Sequence, residues 1–375
     1  MRHASITSSV VWIATAALIM GCGADTKGSS TQGSTESPGN VKQASVCDSL
    51  HTQFAGDENC IPAPDPEVGL QLHVGPTDYD NPDAAWIVEP GHESVECYHL
   101  KTPNKEDRFY FAQQYRMRPG SHHMIIQTST ATDQPEGWAP CGSSLISAIG
   151  GTQHVVEDIP PGLEIADEDK GLGKTIAAET PLDIQLHFFN ATDKPTLREV
   201  WVNFLYKDPS EVTQPLGMMG AFAPVNVPPH TQAVTGGTCN ASDAIASPFP
   251  DGGVRIVSLF GHAHWHNQRF VVYRDKAGSD TEEVLYDSYD GAEAPSYAFN
   301  SKITNPVPDP ASRISGAVSG DLFLAPTDQL RFECDITNDL NTTLVSTNEA
   351  FTGEMCILFG TVVGAGFPCF KLGQK

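Results

Sequence analysis

The chain has 375 residues, with 46 acidic against 22 basic side chains and a formal net charge of −24 at pH 7. Nucleic-acid binding needs clustered Lys and Arg to neutralise phosphates, so this balance argues against it. It suits an exported soluble protein and leaves the fold open.

In chain order, residues 1–22 read as an export signal. Arg2 supplies the positive start, and "VVWIATAALIMG" is an apolar run shorter than a spanning helix needs. It ends in "LIMGC", the lipobox pattern of bacterial lipoproteins, which predicts cleavage before Cys22 and lipidation of its thiol. Gly23 and Ala24 follow with no Asp beside the cysteine. The expected location is therefore the cell envelope, lipid-anchored at the outer membrane through Cys22 alone. Residues 23–45 are polar and rich in Gly, Ser and Thr, as a flexible tether is. Residues 46–65 form a small cap. "ASVCDSLHTQFA" is the best helical candidate, with Cys47, Leu50 and Phe54 on one face and a local Cys47–Cys60 bridge to staple it. The remainder is all-β in pattern. "RFYFAQQYRM", "HHMIIQTS", "LDIQLHFFNA", "REVWVNFLYK", "RIVSLFGHAH", "RFVVYRD", "DQLRFECDI" and "MCILFGTVV" are strand-like runs separated by Pro, Gly, Asp and Asn. They predict two tandem jelly-roll or β-sandwich domains, 66–207 and 208–375, joined at "YKDPSEVTQP". Past Cys22 there remain eight cysteines, an even number in an exported chain, which predicts disulfides. With no CxxC, a zinc ribbon or thioredoxin-like motif is not expected.

The histidines are concentrated. In "FGHAHWHNQRF", His262 and His264 are two apart, so on a strand both rings point to one face and can bind one metal ion. His266 continues the series. In "GSHHMIIQ", His122 and His123 are adjacent, so both reach one metal only at a bulge or strand end. In "DIQLHFFN", His187 alternates with Gln185; alone it reads as a core histidine. In "TGEMCILFG", Met355 beside Cys356 alone reads as core filler.

Taken in order, "HHM", "QLHF", "HAH" and "EMC" resemble the copper type II, ascorbate-dependent monooxygenases, which include peptidylglycine alpha-hydroxylating and dopamine beta-monooxygenases. The resemblance spans about Gly69 to Cys369. It implies two coppers per chain: one on His122, His123 and His187 in the first domain, the other on His262, His264 and Met355 in the second, the domains facing a wet cleft. Thioether is a soft ligand suited to Cu(I), and imidazole serves both copper oxidation states. It further implies hydroxylation of an activated C–H bond, with O2 and a small-molecule substrate as partners and ascorbate or an equivalent as reductant. His262, His264 and Met355 would be the catalytic set, Gln185 an aid to electron transfer, and His266 a supporting residue. The family pattern also implies the disulfides Cys97–Cys141, Cys239–Cys369 and Cys334–Cys356, leaving Cys47–Cys60 at the cap. The Cys334–Cys356 bridge would fix the strand that presents Met355.

The sequence departs from the peptide-amidating members at the substrate-carboxylate positions, which here read Phe260, Ile357 and Phe359. A buried carboxylate would lack its charge partner there, so an apolar or aromatic substrate is expected. Two rival readings stand beside this one: a copper-binding or copper-buffering lipoprotein without turnover, and a structural or adhesive β-sandwich with incidental histidines.

Overall fold

The computed structural model describes residues 47, 50–141, 148–150, 166–289, 297–302, 305 and 320–369, with the backbone alone for 148–150 and 368–369. The lipobox with Cys22, the tether and the export signal lie outside the described residues. Among those described, every helical element is a three-residue 3-10 turn and the rest is strand and loop, so the fold is all-β. Residues 44–375 form one compact unit.

Among the described residues, the buried apolar side chains fall into two large clusters and a small one of Leu50, Ile61 and Trp201 by the cap. Of the large ones, one runs from Leu70 to Phe204 and the other from Met219 to Phe367. The first lies under a five-stranded antiparallel sheet whose three long strands are Glu93–Lys101, Pro181–Phe189 and Ser121–Thr128. The second lies under a four-stranded sheet of Gln232–Asn240, Gln329–Thr337, Asn267–Asp275 and Glu282–Ser288. A third sheet serves both cores. Gln214–Phe222 pairs with Cys356–Val363, which pairs with Val254–Ala263, and a short parallel contact with Leu172–Ile176 continues it to the strands over the first core. The connection at "YKDPSEVTQP" forms a 3-10 turn, Pro209–Glu211, capped by the Asp208 carboxylate.

Alternation along Pro181–Phe189 sets the site. Leu182, Ile184, Leu186 and Phe188 are fully buried, each worth roughly 1.5–3 kcal/mol on burial. That apolar load fixes the register, since a slip of one residue would send all of them to the other face. His187 and Gln185 are thereby held on the face away from the core.

The cap differs from expectation. In the segment predicted as helix, of which Cys47 and residues 50–55 are described, Cys47 is in a 3-10 turn with the Leu50 N–H on its carbonyl at 3.3 Å; a further 3-10 turn is Asp57–Asn59, and residues 50–55 between them are irregular. Thr52 explains why: its N–H and hydroxyl donate to the Asp57 carboxylate, and its hydroxyl accepts from the Phe54 N–H. Such side-chain bonds compete with the helical ladder. The Cys47–Cys60 bridge is present, as are Cys97–Cys141 and Cys334–Cys356. Cys239 is disulfide-bonded; the side chain of Cys369, its expected partner, lies outside the described residues.

Candidate metal centre

A buried anchor precedes the His122–His123 pair. Arg118 is fully buried; its Nε donates to Glu199 (2.7 Å), and its Nη1 donates to Asp57 (2.6 Å) and to the Ala55 carbonyl (3.0 Å). The cap is thus tied to the turn Arg118–Pro119–Gly120–Ser121, closed by the Ser121 N–H on the Arg118 carbonyl. Pro119 fits the first corner, and Gly120 takes φ 86°, which L side chains avoid. The chain then enters strand Ser121–Thr128. Its register against Pro181–Phe189 shifts between Ser121 and His123, which puts His123 opposite His187. This is the bulge that adjacent histidines on one strand require.

On the other side, His262 lies near the end of strand Val254–Ala263 and His264 just past it. Gly261 between Phe260 and His262 has a specific reason: a Cβ there would lie 2.5 Å from the Phe270 ring. The turn after Ala263 is organised by Glu354, fully buried. Its carboxylate accepts the backbone N–H groups of His264, His266 (3.0 Å) and Met355 (2.7 Å). One side chain therefore ties the "HAHWH" turn to the residue that precedes the Met355–Cys356 pair. Burial pushes its pKa up to about 7, against the pull of those N–H groups.

His122, His123, His187, His262 and His264 meet in one buried cluster, rather than lining two sides of a wet cleft. None is more than 6% exposed. The ring centroids of His123 and His187 are 4.8 Å apart, those of His123 and His262 4.9 Å, and those of His122 and His264 5.4 Å. Ligand atoms lie within 4.8 Å of one another in two groups: His122, His123 and His262, and His122, His187 and His264. Burial, and then the neighbouring imidazoles, lowers His123 well below its ordinary pKa; burial first and His187 next bring His264 down to about 3. Neutral imidazole is the form that binds metal.

Glu93 sets the His187 ring. Its carboxylate accepts from His187 Nε2 at 2.7 Å, so the proton resides on that nitrogen and Nδ1 keeps its lone pair. Nδ1 then faces His123 Nε2 at 3.2 Å. The other His123 nitrogen, Nδ1, is buried with no hydrogen-bond partner. Buried neutral donors turned towards one another, one of them orphaned, fit a metal ion better than they fit a packed core. The same Glu93 oxygen accepts the Ala350 N–H at 2.6 Å, linking the first core to the loop before Glu354.

The remaining expected residues are placed as follows. Gln185 is half-buried on the His187 face of its strand, flanked by Cys97 and Ile125. Met355 is half-buried and packs against the second core. His266 turns away from the cluster: its Nε2 meets the Phe351 carbonyl at 3.0 Å and its Nδ1 lies 3.3 Å from Asp339. Phe260 and Phe359 are cross-strand partners, buried, with rings stacked at 5.3 Å; Ile357 lies opposite His262. Sequence reasoning missed Glu93 and Glu354. It also missed an aromatic contact that spans the two cores, in which Phe189 meets Phe351 at 4.2 Å and Phe351 stacks on Trp265 at 5.9 Å.

Compared with known protein-family models and with curated proteins, the chain matches none.

Proposed function

We propose that the protein is a copper-dependent monooxygenase that hydroxylates an activated C–H bond of a small apolar or aromatic molecule, exported and lipid-anchored through Cys22. The observation that carries this reading is the convergence of five buried histidines from segments far apart in the chain, beside the strand that Met355 leads into. His122, His123 and His187, with His262, His264 and Met355, would hold two coppers, which when bound supply the one-electron and O2 chemistry. The chain's own residues do the positioning. Glu93 orients His187, and Glu354 holds the backbone that presents His264 and Met355. Cys334–Cys356 pins the strand that Met355 leads into. Phe260, Ile357 and Phe359 supply an apolar wall near His262, and none of the three can pair with a carboxylate. Ascorbate or an equivalent small reductant would restore the metals. A zinc role suits the thioether of Met355 poorly.

A second reading, copper binding without turnover, draws on one observation: the histidines are nearly sealed from solvent, as storage allows and substrate access does not. Copper content of the purified full-length protein, wild type against Met355→Ala and His187→Ala, tests the metal assignment. Two coppers in the wild type, with one perturbed in each variant, is the expected result. Zero copper overturns both readings. Copper-loaded protein that consumes no O2 with reductant across a panel of aromatic substrates leaves the storage reading.

A further inference from the structure

The two halves of the chain join through a short parallel pairing. Strand Leu172–Ile176 of the first half meets strand Gln214–Phe222 of the second over two residues, Gln214 opposite Leu172 and Pro215 opposite Gly173. One residue on, Lys174 pairs with Tyr110 and Leu216 with Val363, each on its far side, so the strands part. A cavity of about 430 Å³ lies where they part, within the range of about 300–1,000 Å³ typical of small-molecule sites. Phe109, Val212 and Leu216 give it apolar walls, and Thr175, Thr213 and Gln214 supply polar groups. It shares no lining residue with the histidine cluster.

The glycines of "GLGK" make room for it. Gly171 takes φ 88°, and a Cβ on Gly173 would lie 2.8 Å from Val212 Cγ2, so Val212 rests directly on the strand. The Gly171 carbonyl accepts the N–H groups of Thr213 (2.9 Å) and Gln214 (3.0 Å), which holds the connection against the strand. Among the described residues that line the cavity, Lys174 carries the one charged side chain, in a chain whose net charge is −24. Burial lowers its pKa to about 8. At neutral pH the amine is therefore still mostly protonated, and a desolvated cation gains from an anion placed beside it.

We propose that this cavity binds a small organic carboxylate, with its charge at Lys174 and its apolar body between Phe109, Val212 and Leu216. The Thr175 and Thr213 hydroxyls and the Gln214 amide are donors suited to the carboxylate oxygens. A phosphate or other multiply charged anion fits less well, because a single ammonium is set here among apolar walls. The site needs no metal. A ligand in it would touch both the strand of the first half and the connection that leads into the second.

Isothermal titration calorimetry of the full-length protein with benzoate and hexanoate tests this, with benzamide as the uncharged match for benzoate. The expected result is saturable binding of the carboxylates, with benzamide weaker by about tenfold or more, as the loss of one charge-assisted hydrogen bond implies. Lys174→Met should weaken carboxylate binding by a similar factor. Lys276→Met, which removes an exposed positive charge outside the cavity, should leave it unchanged. Equal binding of benzoate and benzamide would overturn the proposal. So would the absence of saturable binding by either carboxylate, or wild-type affinity in Lys174→Met. Should that variant not fold, Thr175→Trp fills the cavity from an exposed position and should abolish benzoate binding with circular dichroism unchanged; wild-type affinity there would equally overturn the proposal.

Discussion

Glu354→Gln probes how far the second half of the centre depends on one buried carboxylate. The side chain keeps its size and loses one acceptor. In the wild type one oxygen, Oε1, accepts from the His264 and Met355 N–H groups, and the other from His266 at 3.0 Å. With the glutamine oxygen in the Oε1 position, its NH2 group confronts the His266 N–H and leaves it unsatisfied, at about 1–3 kcal/mol. The two retained bonds become neutral and lose roughly half their strength, on the order of 1 kcal/mol each. Removing a charge that burial already disfavours returns part of this, burial outweighing the N–H groups so that the Glu354 pKa is pushed up to about 7. The net expectation is a loss of about 2 kcal/mol in the metal-free protein, read from the urea midpoint at unchanged slope. Because the same bonds place His264 and Met355, copper affinity should fall about 10–100-fold, measured against a competing chelator. A midpoint shift under about 0.5 kcal/mol together with wild-type copper affinity would refute the reasoning, since substitutions away from special features cost no more than that.

Two further expectations follow from single contacts. Glu93→Gln no longer forces the proton onto His187 Nε2, so copper affinity should drop about 10–100-fold while far-ultraviolet circular dichroism stays unchanged; wild-type affinity would mean that the ring is set by something else. Asp57 is raised by burial but lowered more by hydrogen bonds from Thr52 and Arg118, so its folded pKa lies below the ordinary 3.8. Its contribution is therefore complete above the unfolded value and lost as pH falls through the folded one. Amide protection of the cap should collapse on acidification below that range and should be weak at every pH in Asp57→Asn; a cap whose protection ignores both would not be held by Arg118.

What was legible in the sequence was what alternation and local geometry determine. Alternation put His187 and Gln185 on one face of an apolar strand, and the structure keeps them together there, with Leu182, Ile184, Leu186 and Phe188 buried on the other face. The adjacency of His122 and His123 demanded a bulge, and the register shift at Ser121/His123 is there. The Cys47–Cys60 staple was read correctly, but the helix does not run through residues 50–55, because helical spacing of Cys47, Leu50 and Phe54 ignores the Thr52 hydroxyl and the Asp57 carboxylate, which offer the backbone other partners. Glu93 and Glu354 were illegible for a different reason. Each looks like an ordinary polar residue beside a strand. Its role exists only once a partner 94, 257 or 90 residues away arrives.

The same limit governs the candidate ligands. Motif order identifies which histidines are candidates, but says nothing about how two strand ends meet in space. The resemblance implies two separate sites, one per core, whereas the histidines of the two cores lie together in one buried cluster. They meet beside contacts that carry no metal-binding signature: one carboxylate that bonds His187 and a backbone amide of the other half, and rings of Phe189, Phe351 and Trp265. Because these contacts persist without an ion, they fix the spacing of the histidines before metal arrives. On the copper reading, weakening them should therefore lower copper affinity, measured against a competing chelator, before it changes the far-ultraviolet circular dichroism.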